Sequence, residues 1–276
     1  MASKLETKKR IKSIQSIRKT TNAMRLVSSI KLRKMRVTFE RTKEYAETIE
    51  MMLRRILTQG ESEVEWLKSE SEHEVVLVIA SDMGLAAGYN TNIFRLIVEQ
   101  VSKEAELIVI GKKNRSLLKE YGYQINETPI YSDEFDYVEI ARLMDELVVR
   151  YQNNEIGKIS IIYTKFINAM SFEAKLRQVL PIETKDEEID AYSHYTEYEP
   201  NEAEIMNRLV PQYLKSIMYN LFYESKTSEQ SSRRLAMEQA TDNADELIED
   251  LQLKYNQARQ ASITQELTEI VAAGEK

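Results

Sequence analysis

The segment Asp82–Gly88 combines residue types that could contact a phosphate. It follows an apolar run of strand length, Val75–Ala80, and precedes a stretch with helical patterning. A loop that leads from a strand into a helix can bind phosphate at the helix N-terminus. The segment lacks the Gly-Lys-Ser/Thr of a P-loop, however, and its spacing does not fit Gly-x-Gly-x-x-Gly. We therefore interpret Asp82, Gly84 and Gly88 as parts of a tight strand-to-helix turn.

Other site chemistry is limited by composition. The chain of 276 residues contains no cysteine, which excludes disulfides, thiol catalysis and cysteine-bound metals. Its two histidines, His73 and His194, lie in polar segments without nearby ligands in the sequence, and we interpret both as surface residues. The carboxylate pair Glu187–Glu188 has no acid–base context. We predict no catalytic residues, no metal and no bound cofactor, and hence a protein that is not itself an enzyme.

Charge is unevenly distributed along the chain. Residues 1–60 contain 16 lysines and arginines against 5 acidic residues, although the net charge of the whole chain is −7. A basic segment on an acidic protein favours an acidic partner, such as nucleic acid, anionic lipid or an acidic protein surface. The first aromatic residue is Phe39, so the interleaved aromatics of many nucleic-acid readers are missing. A solvated basic face without a partner remains an alternative for part of this segment.

Both ends of the chain are predicted to form long helices. Residues 1–59 and 212–273 contain neither glycine nor proline, the common helix breakers. Apolar or small residues recur at steps of three and four, which favours a coiled coil. A helix of this length needs a long partner, so we predict that the two termini form an antiparallel pair. The alternative is two separate helices packed on the central domain. The predicted stripes are Ile14, Ile17, Thr21, Met24, Ser28, Leu32, Met35 and Phe39, and then Ala240, Ala244, Leu247, Leu251, Tyr255, Ala258 and Ser262.

The middle of the chain alternates between short apolar runs and helical segments. This order predicts an α/β domain with a largely parallel sheet. We expect an N-terminal helix over 1–58, the α/β domain with an acidic linker at its end over 59–199, and a C-terminal helix over 200–276. Asn201 followed by Glu204 is typical of a helix N-cap, and Pro211 is expected to bend or restart the last helix. No run reaches the ~18 apolar residues of a membrane span, and no apolar signal segment is present.

Three stretches together resemble the gamma subunit of F-type ATP synthase, the central rotor shaft of the F1 motor. The C-terminal stretch is ATDNADELIEDLQLKYNQARQASITQELTEIV, Ala240–Val271. The N-terminal stretch is KKRIKSIQSIRKTTNAMRLVSSIKLRK, and the central one is SDMGLAAGYN, Ser81–Asn90, similar to the family's SDRGLCGGFN. Met83 and Ala86–Ala87 depart from that pattern, where arginine and Cys-Gly are usual. Arg25 stands where the family often has glutamate.

The resemblance implies a set of partners and contact residues. The paired termini would project into a ring of three α and three β subunits, and the α/β domain would contact ε, δ and the c-ring. Nucleotide and Mg would bind in the partner subunits, and membrane association would come only through partners, at the cytoplasmic face of the cell membrane. Contacts with the catalytic-subunit loops are expected at Met24, Arg25, Arg259, Gln260 and Thr264. The basic face toward acidic β-subunit loops would comprise Lys8, Lys9, Arg10, Arg18, Lys19 and Arg33.

Two alternatives remain open from the sequence. The departures at Met83 and Ala86–Ala87 leave room for the rotor of a specialised F1-like ATPase that lacks a standard proton channel. The basic segment leaves room for a coiled-coil protein that binds nucleic acid, although the resemblance implies none.

Overall fold

The computed structural model describes residues 4–59, 66, 69–182, 199 and 201–274. Of the predicted acidic linker only Glu199 is among them, so Glu187–Glu188 and His194 lie outside the described residues. Five helices and five strands follow one another in the order α1 (Lys4–Gln59), β1 (Glu74–Ile79), α2 (Tyr89–Gln100), β2 (Glu106–Ile110), α3 (Arg115–Glu120), β3 (Gln124–Ile125), α4 (Tyr137–Gln152), β4 (Lys158–Phe166), β5 (Phe172–Leu180) and α5 (Glu202–Gly274) in the described part of the chain.

The chain divides into two compact units. The first, called here the terminal unit, comprises Met1–Ile30 with Arg233–Lys276. The second, called here the central unit, comprises Lys31–Ser232. Each unit therefore contains one part of α1 and one part of α5.

In the terminal unit, α1 and α5 are antiparallel. The hydroxyls of Thr21 and Thr241 are 2.8 Å apart and share a hydrogen bond, and Arg18 forms an ion pair with Asp245. Residue numbers thus rise along one helix as they fall along the other, which confirms the predicted antiparallel pair. Small residues line the contact, including Ser28 at 2% exposure, and their size lets the two backbones approach closely.

Two members of the predicted stripes do not face the partner helix. Ile17 is 53% exposed and Leu247 is 49% exposed, whereas the neighbouring Ile248 is half-buried. A straight helix has 3.6 residues per turn, so a strict pattern of threes and fours drifts by ~20° per heptad. The contact therefore moves to an adjacent residue after a few turns.

The central unit contains a five-stranded sheet in the order β3-β2-β1-β4-β5. Strands β3, β2, β1 and β4 run parallel, and β5 pairs antiparallel with β4, from Phe166 opposite Phe172 onward. The largely parallel sheet is confirmed, with one antiparallel edge strand. Residues 167–171 join β4 to β5, and a connection this short cannot make the crossover that a parallel neighbour requires.

The central strands are buried on both faces. Val75, Leu77 and Ile79 point into a core shared with α1, α4 and α5, whereas Val76 and Val78 point into a second core beneath α2. This arrangement explains why β1 reads as a continuous apolar run rather than as an alternating one.

Helix α5 begins at a cap and continues through a proline. The side chain of Asn201 accepts a hydrogen bond of 2.8 Å from the backbone N–H of Glu204, which confirms the predicted N-cap. The expected restart at Pro211 is wrong, because α5 is one helix from Glu202 to Gly274. Proline removes one helical hydrogen bond, and burial of the adjacent Val210 and of Leu214 offsets that loss.

Candidate functional site

The N-terminal basic residues extend into solvent. Lys8, Lys9, Arg10, Arg18 and Lys19 are all exposed on the α1 segment of the terminal unit. Arg18 is partly neutralised by Asp245 of α5. Arg33 is also exposed, but it belongs to the central unit. The terminal unit therefore presents a cationic surface that an acidic partner could contact.

Met24 and Arg25 lie beside an apolar patch that the sequence analysis did not identify. Met24 is half-buried, and the Arg25 guanidinium donates two hydrogen bonds to the side-chain oxygen of Asn22, at 3.3 and 3.0 Å. Leu26, Val27 and Ile30 are 52%, 54% and 72% exposed. Their position off the predicted stripe was the available signal, because apolar residues outside a coiled-coil contact point away from the partner helix.

Arg259, Gln260 and Thr264 are exposed near the end of α5. The Thr264 hydroxyl donates a 3.0 Å hydrogen bond to the Gln260 carbonyl, a bond within the helix that leaves the Arg259 and Gln260 side chains directed outward. With Thr21 opposite Thr241, Met24 falls opposite residue 238 or so. At a rise of 1.5 Å per residue, Met24 and Arg259 are about 30 Å apart along the pair. The structure thus separates the predicted contacts into two surfaces.

The last turns of α5 extend past the described start of α1. Since Arg18 lies opposite Asp245, Lys4 falls opposite about residue 258. Side chains beyond that point are unusually exposed for apolar residues: Ile263 45%, Leu267 58%, Ile270 68% and Val271 63%. An apolar helix end of this kind is suited to contact with another protein.

In the central unit, Asp82 ties three loops together. Its carboxylate accepts hydrogen bonds from the backbone N–H of Lys112 at 3.1 Å, the hydroxyl of Ser132 at 3.0 Å and the backbone N–H of Asp133 at 2.9 Å. Gly111 allows the close approach of these loops, because a Cβ there would lie 2.5 Å from the Ala80 carbonyl oxygen. The Asp82 carboxylate therefore stabilises the packing of these loops.

The residues with an unusual backbone conformation in this turn are not its glycines. Leu85 and Ala87 adopt positive φ of 62° and 43°, a region that glycine prefers, whereas Gly84 and Gly88 have space for a Cβ. The Ser232 hydroxyl donates a 2.6 Å hydrogen bond to the Ala86 carbonyl and the Tyr89 N–H donates another at 3.0 Å. These two bonds hold the turn in its strained form.

A polar segment of α5 that the sequence analysis missed, Glu224–Ser232, is almost fully buried. Its serines bind the backbone of the α/β domain: Ser225 Oγ accepts from Thr164 N at 3.0 Å and Ser228 Oγ donates to Thr164 O at 3.0 Å. Ser231 Oγ donates to the Ala169 carbonyl at 2.8 Å. We call this segment the serine clamp. In sequence it resembles a solvated helix face, so composition alone gave no sign of its burial.

Lys226 lies within the serine clamp, where carboxylates balance its positive charge. Its Nζ is 2.8 Å from Asp133 Oδ1, 2.9 Å from Glu229 Oε2 and 3.0 Å from Ser132 Oγ. Burial alone would lower the pKa of Lys226, but the charges of Glu229 and Asp133 raise it. Burial alone would raise the pKa of Asp133, but Lys226 and Lys31 lower it to about 2. The group is an ion-pair network that joins α5 to the loop before α4.

His73 has a partner, although none was evident in the sequence. Its Nε2 is 3.3 Å from a carboxylate oxygen of Glu106, which also binds Arg150 at 2.7 Å. The hydrogen bond from Arg150 lowers the pKa of Glu106 despite partial burial. The three side chains form a partly exposed cluster around the ion pair of Arg150 with Glu106.

These observations define a class of protein: a subunit whose paired terminal helices present cationic and apolar surfaces, with an α/β domain inserted between them in the sequence. Comparison with known proteins gives the family. The family described as ATP synthase matches residues 3–275. The chain belongs to this family and, within it, to the ATP synthase gamma chains.

The similar proteins span nearly the whole chain. The ATP synthase gamma chain of Ruminiclostridium cellulolyticum is 39% identical over 96% of this chain and 96% of its own length. That of Alkaliphilus metalliredigens is 37% identical over 98% of this chain and 97% of its own. Among solved structures, the rotor of Euglena gracilis mitochondrial ATP synthase gives a TM-score of 0.63 at 17% identity, covering 91% of this chain and 96% of that one. No helix among the described residues is both long and apolar enough to cross a bilayer.

Proposed function

We propose that this chain is the central rotor shaft of an F1-type rotary ATPase or ATP synthase and has no catalytic site of its own. Membership of the gamma chain family over nearly the full length carries this proposal. The terminal unit would turn inside a ring of three α and three β subunits. Its asymmetric surfaces would then favour a different conformation in each β subunit, which couples rotation to nucleotide chemistry in those subunits.

The other partners follow from the same proposal. The Euglena neighbour comes from a rotor, and a Tetrahymena thermophila neighbour with TM-score 0.57 and 20% identity, covering 80% of this chain and 99% of that one, comes from a central stalk and c-ring. By analogy, the α/β domain would connect the shaft to ε, δ and the c-ring. The chain would then lie at the cytoplasmic face of the cell membrane and be held there through its partners.

The exposed residues of the terminal unit are proposed as the contacts. Arg259 and Gln260 can donate hydrogen bonds to carboxylates on β-subunit loops, and arginine can do so with two parallel bonds. The exposed basic face would attract acidic loops and influence which rotor angle is preferred. Met24 and Arg25 would contact the ring at a separate level, where Leu26, Val27 and Ile30 add apolar surface.

Co-purification with the α- and β-type subunits of the same organism tests the proposal. The tagged chain should be recovered with three copies of each and should support ATP hydrolysis. The double substitution Arg259→Ala/Gln260→Ala should lower turnover several-fold because it removes charge-assisted hydrogen bonds. The matched control is Arg142→Ala/Gln152→Ala on α4, where both residues are exposed, and it should leave turnover unchanged.

The possible outcomes distinguish a wrong assignment of contact residues from a wrong function. If the complex forms but turnover survives Arg259→Ala/Gln260→Ala, the shaft stands and the assigned contacts are wrong. If no complex forms and the chain instead binds DNA or RNA in a salt-sensitive manner, the rotor proposal fails and the basic face serves nucleic acid.

A further inference from the structure

Two loops at one edge of the sheet expose large apolar side chains. Met83 and Leu85, in the turn after β1, are 54% and 60% exposed, and Ile167 and Met170, in the connection from β4 to β5, are 54% and 78% exposed. Strands β1 and β4 are parallel neighbours, so the segments that follow them leave the sheet at the same edge. Apolar side chains that are grouped in this way, rather than scattered singly, are typical of a surface that another protein covers.

The serine clamp holds the two loops side by side. Ser232 Oγ donates a 2.6 Å hydrogen bond to the Ala86 carbonyl, and Ser231 Oγ donates one of 2.8 Å to the Ala169 carbonyl. Because these serines are consecutive in α5, the two loops are fixed at neighbouring positions on one helix. The four exposed side chains are together called here the apolar edge: Met83, Leu85, Ile167 and Met170.

Leu85 is unfavourable in its backbone as well as in its exposure. It adopts a φ of 62°, in the left-handed region that asparagine and glycine tolerate better than a bulky apolar residue does. Strained residues of this kind cluster where proteins make functional contacts. The neighbouring Met83 adds a further apolar side chain at a position where the family pattern has arginine. The turn therefore presents a strained and apolar surface to solvent, as expected if a partner covers it.

Two cationic side chains border the apolar edge. Lys112 and Lys113 follow β2, which is the neighbour of β1 in the sheet, and both are exposed. The position that a Cβ would take at Gly84 is 3.7 Å from the Lys113 Cε, so this lysine lies against the turn. Among the residues that the structure describes, neither lysine forms an ion pair, and Asp82 bonds instead to the groups that tie the loops together. The border of the apolar edge is thus complementary to carboxylates.

We propose that the apolar edge, with Lys112 and Lys113, binds the ring of α and β subunits at a segment that combines apolar side chains with carboxylates. The inference rests on the proposed rotor function. Ser232 is the last residue of the central unit along α5, and the shaft proposed to turn inside the ring begins at Arg233. The apolar edge would continue that interface onto the α/β domain. Its apolar side chains would supply affinity, and the lysines would orient the acidic segment.

The substitution Leu85→Asn separates binding from folding. Asparagine tolerates a left-handed backbone better than leucine does, so the thermal midpoint of the isolated chain should stay the same or rise. The dissociation constant for a ring of α and β subunits of the same organism should nevertheless rise about tenfold, as expected when a large apolar side chain loses its cover. The matched control is Val149→Asn on α4, where the side chain is 54% exposed, and it should leave the affinity for the ring unchanged.

The double substitution Lys112→Glu/Lys113→Glu tests the acidic character of the partner. The dissociation constant for the ring should rise about tenfold at low salt, and the loss should shrink as salt screens the charges. The control Lys103→Glu/Lys119→Glu reverses two exposed lysines that precede β2 and β3 and so lie toward the opposite edge of the sheet. A loss that is equal in the control, or that does not depend on salt, would overturn the assignment of an acidic segment.

Failure of the apolar edge and failure of the rotor function give different results. If the wild-type chain forms no complex with the ring, both are rejected. If the wild-type complex forms and Leu85→Asn binds as tightly, the rotor stands and the apolar edge is rejected. Loss of self-association in Leu85→Asn, with the affinity for the ring unchanged, would assign the surface to a second copy of the chain and also overturn the inference. If Leu85→Asn lowers the thermal midpoint, Ile167→Ser/Met170→Ser decides, and unchanged affinity in that variant rejects the apolar edge.

Discussion

The terminal and central units hold their helices by opposite means. In the terminal unit, α1 and α5 meet along a narrow line of mostly small side chains, which includes the buried Thr21 and its hydrogen bond with Thr241. In the central unit, the same two helices pack into a deep apolar core, and the serine clamp of α5 is buried against the α/β domain. Most of the surface of the terminal unit is thus available to partners, whereas buried polar groups of the central unit form hydrogen bonds and ion pairs that stabilise its own fold. We expect their responses to substitution to differ accordingly.

The largest expected effect is at Lys226 in the central unit. Lys226→Met should destabilise this unit by ~3–5 kcal/mol, because it removes the buried cation that pairs with Glu229, 2% exposed, and with Asp133. Loss of amide hydrogen-exchange protection in the sheet would measure this cost. Lys31→Met is the control, since Lys31 binds the other oxygen of Asp133 at 3.1 Å from a half-exposed position, and it should cost under ~1 kcal/mol. The double change Lys226→Met/Glu229→Met should recover part of the loss.

A smaller and local effect is expected at Leu251 in the terminal unit. Leu251 is 8% exposed, and Leu251→Ala should cost ~2 kcal/mol, near the low end for a buried leucine because the contact is narrow. Exchange protection should fall in the paired terminal helices and stay unchanged in β1 and β4. Leu253, 60% exposed, gives the control Leu253→Ala, with an effect under ~0.5 kcal/mol. Equal loss of protection in the sheet would contradict the independence of the two units.

Acid should affect the central unit through Asp133. Its folded pKa of about 2 lies below its ordinary 3.8, so the ionised form stabilises the fold. This contribution is complete above about pH 3.8 and is lost as the pH falls through 2. Since the side chain is 47% exposed, we expect ~1 kcal/mol rather than the full value of the shift. Urea unfolding followed between pH 5 and 2 should show a shallower loss in Asp133→Asn; an identical slope in both proteins would contradict the assignment.

The smallest expected effect is a gain at Ala87. The family pattern has glycine at this position, and Ala87 adopts φ of 43°. Ala87→Gly should stabilise the central unit by ~0.5–1 kcal/mol, because relief of left-handed strain exceeds the added entropy of the unfolded chain. Ala86→Gly is the control in the same turn, where φ is not positive and the side chain is buried, and it should destabilise. A rise in thermal midpoint for Ala87→Gly alone would confirm the reading.

Much of the fold was predictable from local pattern. The apolar runs that became β1, β2 and β4 and the glycine-free ends that became α1 and α5 are properties of neighbouring residues, so the sequence reports them directly. The choice between Leu247 and Ile248 at the helix contact was not predictable, since it depends on drift accumulated over several turns. The burial of Lys226 and its serine neighbours also could not be predicted from the sequence, because the loops that cover them are distant along the chain.

The candidate site divides in the same way. Exposure of Arg259, Gln260 and Thr264 followed from their place on the helix, and their role remains a prediction. The separation of Met24 from Arg259 by about 30 Å required the register of the pair, which no single stretch of sequence specifies.

The serine clamp reaches main-chain atoms: Thr164 N and O, the Ala169 carbonyl and the Ala86 carbonyl. Every residue type offers the carbonyl and every type except proline offers the N–H, so these four bonds do not depend on the side chains at Thr164, Ala169 and Ala86, whereas Lys226 of the same segment does require Asp133. Loop residues at the main-chain contacts can therefore be exchanged without loosening the helix, as at Ala86–Ala87, where the family's usual Cys-Gly is replaced and the bond from Ser232 is present. Variation in such subunits should accumulate in these loops, whereas loss of a clamp serine would detach one of them whatever its sequence.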